Sequence, residues 1–126
     1  VVELVDLFPT LTDLAGLPAV TQLDGISLKP QLADPSVPGK EFALTQHPHP
    51  FYGARWTSMA YALRTDRHRY IEWRDRATGT IVARELYDHE TDPRETQNLI
   101  DSSAHAGARR QLEALAARAY RFVPAP

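Results

Sequence analysis

The sequence predicts an α+β fold in which a small antiparallel β-sheet is packed on a C-terminal helix. Three successive segments, 59–65, 67–73 and 81–88, are rich in aromatic and β-branched residues and are separated by short turn-like stretches, as in neighbouring antiparallel strands. The last segment has apolar residues at helical spacing, namely Leu112, Leu115, Ala116, Ala119 and Tyr120. This spacing gives a helix one apolar face. Strands followed by a helix favour a sheet covered on one side.

The composition indicates an ordinary globular chain. Its 126 residues are enough for one modest hydrophobic core, and the 43% apolar and 24% charged residues are close to average usage. A net charge of −2 gives no basic face for nucleic acid. No apolar run approaches the roughly 18 residues that cross a bilayer. Because there is no cysteine, disulfides, thiolate zinc sites and cysteine nucleophiles are excluded.

The first predicted element is a helix within residues 2–16, where apolar residues recur at spacings of three and four. Gly16 followed by Pro18 is a helix stop. Pro9 predicts that the regular helix begins within residues 6–8, or that its first turn is distorted. The helix has no partner in the predicted sheet layer, and the chain starts inside an apolar pattern without Met. We therefore expect a piece of a longer polypeptide.

The elements between this helix and the last one are shorter. Residues 17–50 contain six of the ten prolines, which favours an irregular connection, with one helical turn at 27–32 and a short strand at 41–46. Asp66 marks a tight hairpin between the first two aromatic-rich strands. Residues 75–80 form the next turn, so that the third of these strands returns alongside the second.

The stretch ELYDHETDPRETQNL, residues 85–99, has two interpretations. Its side chains include potential ligands for a hard cation: Asp88, His89, Glu90, Asp92 and Glu95. However, the spacing matches no EF-hand loop, because the central Gly is missing. The alternative is a joint, in which a strand ends at Tyr87, Asp92-Pro93 makes a turn, and Asn98 with Leu99 returns the chain to the core. The turn residues favour the joint.

The five histidines and the arginines of the strand segments are further candidates for binding residues. His47 and His49 lie in an extended QHPHP stretch that is expected to splay the two rings apart, so a pocket-lining or surface role is favoured over zinc. His68, His89 and His105 are expected to be solvated or hydrogen-bonded. The arginines and aromatics of residues 61–74 are the ingredients of a nucleic-acid surface, but strand alternation and the net charge favour a solvated sheet face. There is no Gly-x-Ser-x-Gly, phosphate-binding Gly-rich loop or His-Glu-x-x-His.

Four stretches in order resemble the C-terminal landmarks of the sulfatase family, within the alkaline-phosphatase-like superfamily. They are VELVDLFPTLTDLAGLP, LDGISLKPQL, MAYALRTDRHRYIEW and ELYDHETDPRETQNL. EFALTQHPHP and the Arg-Thr-x-x-x-Arg-Tyr pattern from Arg64 are most similar to the iduronate-2-sulfatase branch. The resemblance implies that residues 1–34 are the last helix and connection of a larger α/β domain. Residues 35–126 would then be the small sheet-plus-helix subdomain.

The resemblance also implies where the chemistry lies. Sulfatases hydrolyse sulfate esters with a formylglycine made from Cys or Ser, beside a divalent cation such as calcium or magnesium. In the family, the formylglycine and the residues that bind the cation lie in the N-terminal part of the protein. In this sequence, SVPGK at 36–40 lacks the Arg of the formylglycine motif. No catalytic or metal-binding residue is therefore expected in this chain, whose partner would be the N-terminal catalytic part of the same sulfatase. By position, Gln46, His47 and His49 would line the cleft for a sulfated small molecule or glycan.

Two other functions remain open at this point. The chain could be the C-terminal part of a phosphonate or phosphate monoester hydrolase of the same superfamily. It could also be an independent binding module that uses the arginine- and tyrosine-rich sheet face. In none of these cases does the sequence predict a nucleic-acid or membrane partner.

Overall fold

A computed structural model describes residues 1–51 and 55–120, which form two compact units that divide between residues 43 and 44. The N-terminal unit contains a short 3₁₀ turn (Leu4–Asp6) and two helices, α1 (Leu7–Leu14) and α2 (Lys29–Ala33). The C-terminal unit contains a four-stranded sheet and helix α3 (Ala106–Ala119), which follows a single 3₁₀ turn (Ser103–His105). The predicted α+β fold is confirmed. In the part of the chain described, no helix has the length and apolar character that crossing a membrane requires.

Helix α1 begins and ends where the sequence predicts. Its start at Leu7 makes Pro9 the third helical residue, where a backbone N–H has no intrahelical partner to lose. Gly16 adopts a left-handed φ of 67° just beyond the helix, and its N–H donates to the Asp13 carbonyl oxygen at 3.1 Å. The apolar stripe of α1 is present but exposed, since more than half of Leu7, Phe8, Leu11 and Leu14 is accessible to solvent.

Two polar side chains attach the following connection to α1. The buried carboxylate of Asp6 accepts a hydrogen bond from the Ile26 N–H at 2.9 Å and lies 2.6 Å from Lys40 Nζ. Burial alone would raise the pKa of Asp6, but these contacts outweigh it and lower the pKa below its usual value. Thr10 Oγ1 accepts from the Leu28 N–H at 2.9 Å. These bonds satisfy backbone groups of an irregular segment.

Gly25 is required by the closeness of this attachment. A Cβ at Gly25 would lie 2.0 Å from the carbonyl oxygen of Val5, well inside van der Waals contact. Only glycine lets the connection pass so near the backbone before α1. The LDGIS segment is thus explained by packing within the N-terminal unit.

The sheet has the strand order β1-β2-β3-β4 and is antiparallel. The strands are β1 (Ala43–His49), β2 (Ser58–Arg64), β3 (His68–Asp75) and β4 (Ile81–Asp88). All four predicted strands are present, and β4 has the predicted bounds. Strand β1 extends to His49 rather than ending at residue 46, so the QHPH residues belong to a strand. The turn predicted at 75–80 has Gly79 at a φ of 72°, and the Asp75 N–H donates to the Thr80 carbonyl oxygen at 2.9 Å.

The core lies where β2, β3 and β4 pair beneath α3. Leu63, Tyr70 and Leu86 are opposite one another in the register and are fully buried. Helix α3 contributes the apolar face predicted for it, through the buried residues Leu112, Leu115 and Ala116. The Tyr120 hydroxyl donates to the Tyr61 carbonyl oxygen at 2.9 Å.

In the sequence, Tyr70 and Glu72 alternate with Ile71 and Trp73, a pattern that predicts one buried face. The structure instead buries strand β3 on both faces at its centre. Tyr70, Ile71 and Glu72 are successive buried residues. The buried carboxylate is tolerated because Glu72 Oε1 accepts from the Tyr70 hydroxyl at 3.0 Å and Oε2 accepts from Arg74 Nη2 at 2.5 Å. Burial, together with the charge of Glu72, raises the pKa of Tyr70, which therefore stays a donor.

Candidate functional site

The acidic stretch 85–99 contains one buried carboxylate, which forms an ion pair with a partly exposed arginine. Asp88 is fully buried, and its carboxylate accepts hydrogen bonds from Arg67 Nε at 2.9 Å and Nη2 at 2.6 Å. The same carboxylate accepts from the Glu90 N–H at 3.1 Å. The Arg67 hydrogen bonds are the main reason that the pKa of Asp88 is lowered to about 2. Asp88 therefore joins the end of β4 to the hairpin between β2 and β3.

The remainder of this stretch returns the chain to the sheet, which confirms the joint. Asp92 Oδ2 accepts from the Gln97 N–H at 2.9 Å, as in a side-chain-closed turn. Asn98 Oδ1 then accepts from the Leu86 N–H at 3.0 Å, and the Leu99 N–H donates to the Leu86 carbonyl oxygen at 2.8 Å. Asn98 and Leu99 thus occupy the outer edge of β4, where a further strand would otherwise pair.

The remaining acids of the stretch are paired within the protein. Glu95 forms an ion pair with Arg69, and its Oε1 lies 2.5 Å from His89 Nε2. Glu90 lies 2.6 Å from Arg67 Nη1. Across residues 1–51 and 55–120, no three His, Cys, Asp or Glu side chains are grouped so that they could hold a metal ion. These contacts describe a structural joint.

The three predicted substrate-binding residues lie on the edge strand β1 and are all exposed. The His47 ring stacks on Phe51 with centroids 4.9 Å apart, and the His49 ring meets Trp73 edge-on at 5.9 Å. Residues two apart in a strand share a face, so the extended backbone does not splay these rings to opposite sides as expected. Gln46 alternates to the other side of the strand. The structure therefore groups the two histidines with aromatic rings and separates Gln46 from them.

Next to His49 is a shallow depression of about 280 Å³. Its lining residues come from all four strands: His49, Ser58, Trp73, Val82 and Ala83. The sequence does not identify this group, because the residues are up to 34 positions apart, from 49 to 83, and only the strand register brings them together. The sequence shows only that Trp73 alternates with Glu72, which predicts that the two side chains point to opposite faces of the sheet.

Hydrogen bonds hold Trp73 in place beneath this depression. Trp73 Nε1 donates to Glu85 Oε1 at 2.6 Å, and the Tyr87 hydroxyl donates to Glu85 Oε2 at 2.7 Å. Burial, then the bond to Glu85, raises the pKa of Tyr87 to about 12. The guanidinium carbon of Arg69 lies 5.5 Å from the centre of the Tyr87 ring. Both carboxylate oxygens of Glu85 are therefore occupied by neutral donors.

The other histidines are close to their predicted roles. His105 Nδ1 lies 2.9 Å from the Ser102 hydroxyl, and His89 contacts Glu95, so these two are hydrogen-bonded as expected. His68 is partly buried, and burial lowers its pKa. None of the three lies in the depression beside His49.

The helix-covered antiparallel sheet with its structural joint belongs to the class of sulfatase C-terminal domains. The family model described as N-sulphoglucosamine sulphohydrolase, C-terminal, matches residues 1–120. The chain belongs to this family of sulfatase C-terminal domains.

Curated relatives of the chain are arylsulfatases K. The protein of Rattus norvegicus is 36% identical over 101 residues, covering 78% of this chain and 17% of the relative. The protein of Gallus gallus is 37% identical over 102 residues, covering 79% and 18%, and that of Homo sapiens is 34% identical over 103 residues, with the same coverage. The chain thus spans less than a fifth of these relatives.

Solved structures share the fold. A 2-O GAG sulfatase superposes with a TM-score of 0.69 at 24% identity, covering 96% of this chain and 27% of that chain. A protein solved with its substrate D-glucosamine-2-N,6-O-disulfate gives 0.72 at 24%, covering 90% and 23%. The phosphonate monoester hydrolase of Agrobacterium radiobacter gives 0.63 at 26%, covering 90% and 24%.

Proposed function

We propose that this chain is the C-terminal part of a sulfuric ester hydrolase that acts on sulfated glycans, of an iduronate-2-sulfatase-like or arylsulfatase-K-like kind. The family match over residues 1–120 carries the proposal. It is supported by relatives that bear the sulfatase name at 34–37% identity. In this proposal the chain completes the fold of the parent sulfatase, and β1 contributes to the rim of the substrate cleft.

The catalytic groups belong to the N-terminal part of the parent protein. A formylglycine and a divalent cation, calcium or magnesium, would lie there, and the cation would stabilise charge on the sulfate group when bound. The acids of the acidic stretch do not fit a cation, because Asp88 and Glu95 are already paired with arginines, a backbone N–H group and His89. We therefore derive no catalytic step from this chain.

The exposed apolar stripe of α1 supports a role in completing a larger core. Leu11 and Leu14 are 64% and 52% exposed, and Leu4 before them is 86% exposed. Contiguous exposed apolar residues mark surfaces that bind another protein surface. The proposed partner of this stripe is the N-terminal catalytic part of the same sulfatase.

The histidines of β1 supply the chemistry proposed for substrate binding. Imidazole N–H groups donate hydrogen bonds to sulfate or carboxylate oxygens, and such bonds to charged groups are stronger than neutral ones. His47 and His49 are exposed on one face of the edge strand, where a ligand can reach both. Gln46 belongs to the same proposed rim but faces the other side of the strand.

The test uses the whole parent protein. His47→Ala and His49→Ala should each lower kcat/KM for a sulfated disaccharide by about tenfold or more, because a hydrogen bond to a charged group contributes about 1.5–3 kcal/mol. Gln111→Ala, at an exposed position of α3, is the control and should leave kcat/KM unchanged. Unchanged kcat/KM values for both histidine variants would contradict the proposal that β1 lines the substrate cleft.

A second candidate, hydrolysis of phosphonate or phosphate monoesters, is favoured by the phosphonate monoester hydrolase fold match. Comparing kcat/KM of the parent for an aryl sulfate and a phenyl phosphonate ester decides between them. A preference for the phosphonate ester would reject the sulfatase proposal.

The third candidate, an independent binding module, has less support, because Arg67 and Arg74 of the sheet are paired with Asp88 and Glu72. Saturable binding of sulfated glycans or oligonucleotides by the chain alone, weakening as salt increases, would be its signature.

A further inference from the structure

The depression beside His49 has the size and the chemical groups of a binding site for a single ring. Its volume of about 280 Å³ is just below the range of about 300–1,000 Å³ that holds drug-sized ligands. Trp73 supplies an aromatic surface, Val82 and Ala83 supply aliphatic ones, and Ser58 and His49 supply hydrogen-bonding groups at the side. An apolar surface with a few polar groups at its rim is typical of a site that selects one orientation of its ligand.

The aromatic surface is fixed before any ligand arrives. The indole N–H of Trp73 is held by Glu85, which is itself held by the Tyr87 hydroxyl. A ring locked in this way loses little conformational freedom on binding. Both Glu85 oxygens accept hydrogen bonds, one from Trp73 and one from Tyr87, so the carboxylate itself is also held in one position.

We propose that Trp73 stacks against a pyranose ring of a glycan, the sugar next to the sulfated unit that His49 contacts. This inference rests on the proposed function and deepens it by extending the substrate from a single sulfated sugar to an oligosaccharide. The C–H groups of a pyranose face are attracted to the negative face of an indole ring, and the ring hydroxyls hydrogen-bond at its edge. His49 joins the two positions, because it contacts Trp73 and lines the depression.

The test measures kcat/KM of the whole parent protein for two substrates, a sulfated hexasaccharide that contains glucosamine and a small aryl sulfate. Trp73→Leu should lower kcat/KM for the hexasaccharide by about tenfold and leave that for the aryl sulfate within about twofold. Trp73→Phe retains an aromatic face and should recover most of the loss. Trp56→Leu is the matched control, because Trp56 packs under Arg76 outside the depression.

A second variant covers the case in which Trp73→Leu does not fold. Ala83→Leu adds bulk from an exposed position of β4 and should reduce hexasaccharide turnover while Trp73 stays in place. If Ala83→Leu and every folded Trp73 variant keep the wild-type ratio of hexasaccharide to aryl sulfate turnover, the stacking position is wrong.

Failure of the proposed function gives a different result. A parent that hydrolyses neither substrate contradicts the sulfatase proposal but still allows the stacking position to be tested by binding. In that case, tryptophan fluorescence is titrated with the desulfated hexasaccharide. Saturable quenching that Ala83→Leu abolishes supports the stacking position, and no quenching, or quenching unchanged by Ala83→Leu, overturns it.

Discussion

Replacing Asp88 by asparagine should destabilise the C-terminal unit, because Asp88 joins β4 to the hairpin between β2 and β3. The substitution keeps the shape of the side chain but removes its charge and turns one acceptor oxygen into a donor. That donor would face the guanidinium of Arg67, which now makes two hydrogen bonds to the carboxylate at 2.9 and 2.6 Å. One of these bonds is lost and a repulsive contact replaces it.

The size of the effect follows from the pKa of Asp88. A pKa of about 2, against an ordinary value of 3.8, corresponds to about 2.4 kcal/mol at 1.36 kcal/mol per pKa unit. This is an upper bound, because the Arg67 side chain is 51% exposed and water screens the pair. We therefore expect Asp88→Asn to lower the free energy of unfolding by about 1–2 kcal/mol at neutral pH.

The pH dependence has a definite sign. Because folding lowers the pKa of Asp88, its contribution is fully present above a pH of about 4 and is lost as the pH falls toward about 2. Urea unfolding of wild-type and Asp88→Asn chains, followed by circular dichroism at several pH values, measures this difference. The two free energies should converge as the pH approaches about 2.

Glu90→Gln is the matched control, because Glu90 also pairs with Arg67, at 2.6 Å, but is 64% exposed. Such an exposed pair contributes about 0–1 kcal/mol, so this variant should unfold close to wild type. An equal loss for Glu90→Gln and Asp88→Asn, or a loss for Asp88→Asn that does not change with pH, would refute the reasoning.

Further predictions concern packing. Gly25→Ala should lower the free energy of unfolding in urea by about 1–3 kcal/mol, because the added Cβ meets the Val5 carbonyl oxygen. Gly107→Ala in α3, where the Cβ would enter open space, should raise that free energy by about 0.5–1 kcal/mol. Equal effects of the two substitutions would contradict this contrast. Leu115→Ala should cost about 2–5 kcal/mol, and an unchanged melting midpoint would reject the burial of Leu115. Leu11→Lys should reduce self-association of the chain in light scattering, and a monomeric unmutated chain would count against an apolar docking surface there.

Local signals predicted much of the fold. Helix α1 ends just before Gly16, because the left-handed backbone at that position suits glycine, and β4 has the predicted bounds because its pattern ends in turn residues. The joint at 85–99 was also predictable, since the turn that the Asp92 side chain closes with the Gln97 N–H needs only residues close in sequence. The positions of His47 and His49 could not be predicted as well. Their proline neighbours indicate an extended backbone but do not specify the strand with which it pairs.

By itself the sequence determined which segments become helices, strands and turns, because those choices depend on apolar spacing and on backbone preferences within a few residues. Only the tertiary structure decided that Asp6 and Glu72 are buried, since their burial depends on partners such as Lys40 and Arg74. The tertiary structure likewise decided that Trp73 lies against His49. Strand register sets such contacts, and a shift of one residue would have turned Trp73 to the opposite face of the sheet.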